Sequence, residues 1–270
     1  MDLSELNAGG LVLLGCGKMG SALLEGWLNN GVMATSVHVL DPAPSEWLKA
    51  SGVHINQGLP DAPAMAVLAV KPQMMGEALP SLQALGRGRT VFVSIAAGTS
   101  LRMIEAALGA GTPIVRAMPN TPAAVGRGIT ALIANPHVPS TALEIARALM
   151  AAVGQTVMLD DEAQMDAVTA VSGSGPAYVF HLIETMAAAG VAQGLPAEMA
   201  LQLARATVAG AGALAEGSGE DPGQLRVNVT SPGGTTAAAL AVLMDPKAGF
   251  PALMSRAVAA AADRSRELGQ

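Results

Sequence analysis

Apolar residues follow two rhythms along this chain. Up to about residue 160, short apolar runs of strand length alternate with stretches in which apolar positions recur every three or four residues; beyond it only the helical rhythm continues. The runs predict strands over Leu11–Leu14, Val37–Leu40, Met65–Val70, Val91–Ser94, Pro113–Ala117, Ile129–Ala134 and Thr156–Leu159. Between them the spacing predicts helices over Ser21–Asn30, Met74–Leu85, Ser100–Leu108 and Ser140–Met150. Such alternation predicts an α/β fold: a doubly wound parallel sheet with ligand sites at the carboxyl ends of its strands. Two domains are expected, residues 1–160 built on the sheet and residues 161–270 all helical. In the second, Ser174-Gly175-Pro176 starts a helix towards Gly190 or Gly194. Gly194-Leu195-Pro196 starts another to about Gly217, and Ala237–Met244 is helical near the end. The stretch Glu198–Glu216 carries Ala and Gly on every face and few charges, so it must be covered on several sides, which predicts a dimer through this half.

Composition narrows the classes of partner. A net charge of −6 and no run of like charges argue against nucleic acid and against an anionic membrane surface. Mean hydropathy is +0.42, yet no apolar run approaches the ~18 residues that a membrane span requires. The opening Met1–Gly10 is acidic and has no apolar core, unlike a secretory leader, so a cytoplasmic protein is expected. Cys16 is the only cysteine, which excludes an intrachain disulfide and a cysteine-built metal site. With aromatic residues at only 2%, the core must be closed by Ala, Leu, Val and Met at short range.

The first predicted strand runs into Gly15-Cys16-Gly17-Lys18-Met19-Gly20, three glycines at the spacing of a dinucleotide turn. Gly15 would permit the tight turn, Gly17 the approach of a pyrophosphate, and Gly20 close packing of the next helix on the strand. Asp41, 21 residues after Gly20, ends the second strand, where an acid contacts the adenosine ribose. Three other strand ends are candidates for the same ligand. Ala69-Val70-Lys71-Pro72 holds Lys71 extended before a proline, either towards a cofactor or as a solvated turn residue. Ile95-Ala96-Ala97 follows the strand ending at Ser94. Met118–Pro122 is a proline-bounded loop expected to present Asn120 and Thr121 to a nicotinamide or substrate, if it is more than a turn. In the helical half, Asn228 and Thr230-Ser231-Pro232-Gly233-Gly234-Thr235-Thr236 crowd hydroxyls and glycines at a helix start. The amides of Gly234 and its neighbours, with Ser231, suit a carboxylate, though an ordinary capped turn has the same composition.

Taken together, the glycine turn, Val70-Lys71-Pro72, Ala96-Ala97-Gly98, Met118–Pro122, Asp166–Thr169, Ser172–Tyr178 and above all Thr230–Thr236 resemble the pyrroline-5-carboxylate reductase family over nearly the whole chain. The resemblance implies a Rossmann domain, an interlocking helical dimerisation domain and dimers often gathered into decamers. It implies reduction of the cyclic imine 1-pyrroline-5-carboxylate to L-proline by NADPH or NADH, the last step of proline biosynthesis. Ser231 and Gly234 would hold the substrate carboxylate and Thr236 the ring nitrogen, with Glu162 and Asn228 lining the same pocket. The segments 69–72 and 95–97 would line the cofactor. Without the family, Glu162 reads as an acid at a helix start. The acid at Asp41 repels a 2′-phosphate, so NADH is expected to be favoured while NADPH is also used.

A protonated cyclic imine is already electrophilic at carbon, so the site needs to orient more than to donate a proton. The chain has four lysines, none between residues 72 and 246, whereas reducing a ketone needs an acid for the forming alkoxide. His181 and Tyr178, three residues apart on an apolar helix, read as structural. The alternatives are a two-domain reductase acting on another imine or a β-hydroxy acid, and a nucleotide-binding protein without catalysis.

Overall fold

A computed structural model describes residues 4–86 and 88–269 of the chain. Residues 1–3 and 270, which the expected domain limits include and the first of which belong to the acidic opening, lie outside them. The chain forms two compact units, one reaching to Gly173 and including Ala261 onwards, the other Ser174–Ala260. The expected division after residue 160 thus falls inside the first unit.

The first unit begins with helix α1 (Ser4–Gly9) and strand β1 (Leu11–Leu14), followed by α2 (Lys18–Asn29), β2 (Val37–Leu40), α3 (Glu46–Ala50) and β3 (His54–Ile55). It continues through β4 (Met65–Leu68), α4 (Met75–Ala78), β5 (Val91–Ser94), α5 (Leu101–Leu108), β6 (Ile114–Met118), β7 (Gly128–Ala134), α6 (Ser140–Ala151), β8 (Gly154–Met158) and α7 (Met165–Val168). A π-helical stretch, Thr169–Gly173, closes it. The eight strands lie in one sheet in the order β3-β2-β1-β4-β5-β6-β7-β8. Alternate residues of the central strands feed two cores. Leu11, Leu13, Val37, Val39, Val67 and Val93 pack on one face, and Val12, Leu14, Leu68 and Phe92 on the other. Helices cover both faces, as strands apolar on both sides require. On the first face Trp27 is fully buried and donates its indole N–H to Leu149 O at 2.9 Å, joining α2 to α6. Complete burial of one such side chain is worth ~1.5–3 kcal/mol.

Three features depart from the sequence pattern. Strand β7 runs antiparallel to β6, because the connection 119–127 is too short for a crossover helix; it forms a 3-10 turn and reverses at Gly126 in the left-handed region. The predicted helix Met74–Leu85 is instead the short α4 followed by a 3-10 stretch, Leu79–Leu85. Pro80 near its start has no N–H to give and obstructs an α-helical turn. Strand β3 is two residues long, too short to register as a period; its His54 stacks on His38 of β2, ring centroids 4.6 Å apart.

The second unit is helical: α8 (Gly175–Ala192), α9 (Ala197–Ser218), α10 (Pro222–Asn228), α11 (Thr235–Leu243) and the first part of α12 (Phe250–Leu268). Helices α8 and α9 pack on each other, yet neither α8 nor α11 has a buried residue. Phe180 is 59% and Val242 71% exposed. Tyr178, expected in the core, is half-buried, and His181 is exposed beside Glu184 at 3.1 Å.

Candidate functional site

The glycine turn is built by contact rather than by side chains. Gly15 has φ +90°, and its N–H donates to Leu40 O at 2.8 Å, tying the turn to the end of β2. A Cβ on Gly20 would stand 2.4 Å from Gly15 O, so the first turn of α2 can lie on the strand end only if residue 20 has none. A Cβ on Gly17 would meet nothing within 4 Å. Gly17 is the N-cap of α2 and no side chain caps the helix, leaving first-turn amides for an anion.

Behind this turn, Cys16 N–H donates to Asp41 Oδ2 at 2.6 Å, while Ala43 N–H donates to Oδ1 at 2.8 Å. Asn56, with φ +53°, holds the backbone of Asp41: its Nδ2 donates to Asp41 O at 2.8 Å and its Oδ1 accepts from Asp41 N at 3.1 Å. The carboxylate at the end of β2 is therefore pinned against the glycine turn. Burial, with the Asp41 charge as a lesser cause, pushes the Cys16 thiol up to about 11. At that value the thiol is protonated at neutral pH, which disfavours nucleophilic attack.

A cavity of ≈ 550 Å³ opens at the carboxyl ends of the strands. It gathers Gly17, Lys18 and Met19, then Ala69, Val70, Lys71 and Pro72, then Ile95, Ala96 and Ala97, and finally residues 118–121 with Gly173. Gly15, Cys16, Gly20 and Asp41 do not line it; they shape the turn beside it. Lys71 is extended, φ −62° and ψ 147°, as Pro72 demands, and with Lys18 it sets two exposed cations at the rim. An open Gly17, an uncapped helix start, two rim cations and apolar walls fit a nicotinamide dinucleotide: the amides and lysines suit its pyrophosphate, the walls its ring.

Asn120 lines the cavity while its amide is also engaged within the protein. Its Oδ1 accepts from Ile129 N–H at 2.9 Å and its Nδ2 donates to Ser172 O at 3.1 Å, so it fastens the 118–121 loop to β7 and to the π-helical stretch. Glu162 also has other duties. Its Oε1 accepts from Arg116 Nη1 at 2.8 Å and from Leu101 N–H at 2.9 Å. Arg116 is 6% exposed, in a strand otherwise made of Ile, Val, Ala and Met. Sequence reasoning passed over it, although a lone charge inside a buried strand demands a partner.

In the second unit, Ser231 and Asn228 are exposed and Thr236 is half-buried. Gly233 has φ +69°, and Gly234 N–H turns back to Ser231 O at 3.0 Å. The Gly234 amide is thus spent on closing the turn. Gly234 is the N-cap of α11 and no side chain caps that helix, so the following amides are left for a carboxylate. Asn228 donates from Nδ2 to Glu220 Oε2 at 3.0 Å and accepts from Gln224 Nε2 at 2.8 Å, holding the end of α10. Among the described residues no cluster of His, Cys, Asp and Glu suits a metal ion, and no helix is long and apolar enough to cross a membrane.

Comparison with known proteins bears on both units. Residues 162–268 match the family model described as pyrroline-5-carboxylate reductase dimerisation, and residues 11–98 match that of NADP oxidoreductase, coenzyme F420-dependent. The pyrroline-5-carboxylate reductase of Pseudomonas aeruginosa is 41% identical over 266 residues, covering 96% of this chain and 97% of its own. The chain belongs to the pyrroline-5-carboxylate reductase family. A solved structure of a pyrroline-5-carboxylate reductase from Coxiella burnetii superimposes with a TM-score of 0.90 at 34% identity, covering 97% of this chain and 99% of that one. The Plasmodium falciparum pyrroline carboxylate reductase, solved with NADP bound, gives a TM-score of 0.85 at 30% identity over 98% of this chain and 100% of that one.

Proposed function

We propose that the cavity holds NADH or NADPH and that the loop Ser231–Thr236 holds 1-pyrroline-5-carboxylate, which is reduced to L-proline. The observation that carries this reading is the convergence of 17–19, 69–72, 95–97 and 118–121 on one cavity at the carboxyl edge of the sheet. When bound, the dihydronicotinamide supplies the hydride that the imine carbon accepts. Lys18, Lys71 and the first-turn amides of α2 hold the pyrophosphate. Ile95, Ala96 and Ala97 form a wall without charge, which keeps water from the transferring hydride. Ser231 and the first-turn amides of α11 hold the substrate carboxylate, and Thr236 hydrogen-bonds the ring nitrogen so that the imine carbon is oriented. Orientation and proximity then supply most of the rate, with no strong acid needed.

The exposed apolar faces of α8 and α11 and the ≈ 420 Å³ apolar groove between α10 and α11 support a dimer through the helical unit. The test is loss of NADH or NADPH absorbance on adding 1-pyrroline-5-carboxylate to the purified protein. Oxidation of either supports the reading. No oxidation of either, with cofactor binding demonstrated, overturns the substrate assignment.

A further inference from the structure

Glu162, which lines a separate pocket with Arg116, is a common acceptor for two groups on the segments that lead into two walls of the candidate cofactor cavity. Arg116, which donates to it at 2.8 Å, stands on β6 two residues before Met118, where the 118–121 wall begins. Leu101, which donates its N–H at 2.9 Å, opens α5 at the far end of the loop that carries the 95–97 wall. Ser94 and Arg116 are neighbours across the β5–β6 ladder, so both walls leave the sheet side by side. Glu162 is itself held firmly: Asp161 and Gln164 form a reciprocal cap around the turn it starts.

The fold does not need this pair to close its core. An apolar residue at 116 would pack in β6 without the cost of desolvating a guanidinium, and replacing a buried ion pair with apolar residues is often neutral for stability. What the pair adds is a tie between the roots of two cavity walls.

We propose that Glu162 is a positioning residue: through Arg116 and the Leu101 N–H it holds the 95–97 and 118–121 walls in register, and so sets affinity for the nicotinamide end of the cofactor without touching cofactor or substrate. This rests on reading the cavity as the NAD(P)H site.

The test compares Glu162→Gln with the paired apolar variant Arg116→Met, Glu162→Leu. Each is titrated with NADH by fluorescence and assayed for separate KM values, with thermal unfolding as a control. The expected result is a Kd for NADH raised on the order of tenfold in both variants, a KM for the imine within about twofold of the unaltered protein, and near-unaltered unfolding of the paired variant. If the single variant fails to fold, the paired one still decides. Unaltered NADH affinity in the paired variant would overturn the proposal. So would a raised imine KM at unaltered NADH affinity, which would return Glu162 to the substrate pocket. Failure of the unaltered protein to bind either cofactor would instead overturn the cofactor reading beneath it.

Discussion

The backbone N–H of Cys16 lies 2.6 Å from Asp41 Oδ2, so the acid that ends β2 is locked onto the glycine turn. With the adenosine ribose bound beside it, a fixed anion here would repel the 2′-phosphate of NADPH and accept from the free ribose of NADH. NADH is therefore expected to be favoured. Asp41→Asn keeps an acceptor for Cys16 and removes the charge. Relief of about 1–3 kcal/mol of repulsion should move the NADPH:NADH ratio of kcat/KM about ten- to a hundredfold towards NADPH. Steady-state kinetics with both cofactors would check it.

Gly17 and Gly20 should fail in different ways. At Gly20 an added methyl meets Gly15 O at 2.4 Å, an overpacking that costs about 1–3 kcal/mol and lowers Tm by roughly 3–10 °C. At Gly17 the methyl meets no protein atom, so Gly17→Ala should unfold within about 1 °C of the unaltered chain while its Kd for NADH rises about tenfold. Thermal unfolding alongside fluorescence titration separates the two.

Thr236→Ala should leave unfolding unchanged, since the residue is half-buried and no side-chain cap of α11 depends on it. Losing one hydrogen bond to the reacting ring should cost about 1.4–3 kcal/mol in the transition state, a ten- to hundredfold fall in kcat/KM. Unchanged kinetics would remove Thr236 from the site.

The Cys16 thiol, raised from 9.0 to about 11, makes a definite pH prediction. Because the unfolded chain ionises first, this group's contribution to stability is whole below pH 9 and is lost as pH rises from 9 to 11. Denaturant unfolding across that window should show Cys16→Ala losing less stability than the unaltered protein. Iodoacetamide at pH 8 should leave the native thiol unmodified.

Phe180, 59% exposed on α8, should be covered by a second copy. Phe180→Glu replaces apolar contact worth about 1.5–3 kcal/mol in each protomer with a buried charge. Light scattering should show a lower mass for the variant, and activity should fall with it. An unaltered chain of monomeric mass would refute the dimer.

Residues adjacent in sequence carry most of what was legible beforehand. The two periodicities distinguish the sheet half from the helical half, and the glycine spacing from Gly15 to Gly20 places a dinucleotide turn, because these depend on local backbone geometry. Thr230–Thr236 likewise reads as a helix start with spare amides. The strand ends 69–72, 95–97 and 118–121 were recognisable one at a time. Only the sheet order, set by burial on both faces, brings them to one cavity.

Tertiary structure alone decided how the polar side chains are spent. Asn120 and Glu162 have the chemistry of ligand contacts, and the fold also gives them partners in Ile129, Ser172, Arg116 and Leu101. The antiparallel turn of β7 and the partner of Arg116 were equally out of reach of any local pattern. Periodicity reports which faces are buried. A buried donor or acceptor takes whatever partner folding brings within about 3 Å, and for Glu162 those partners lie 46 and 61 residues away along the chain.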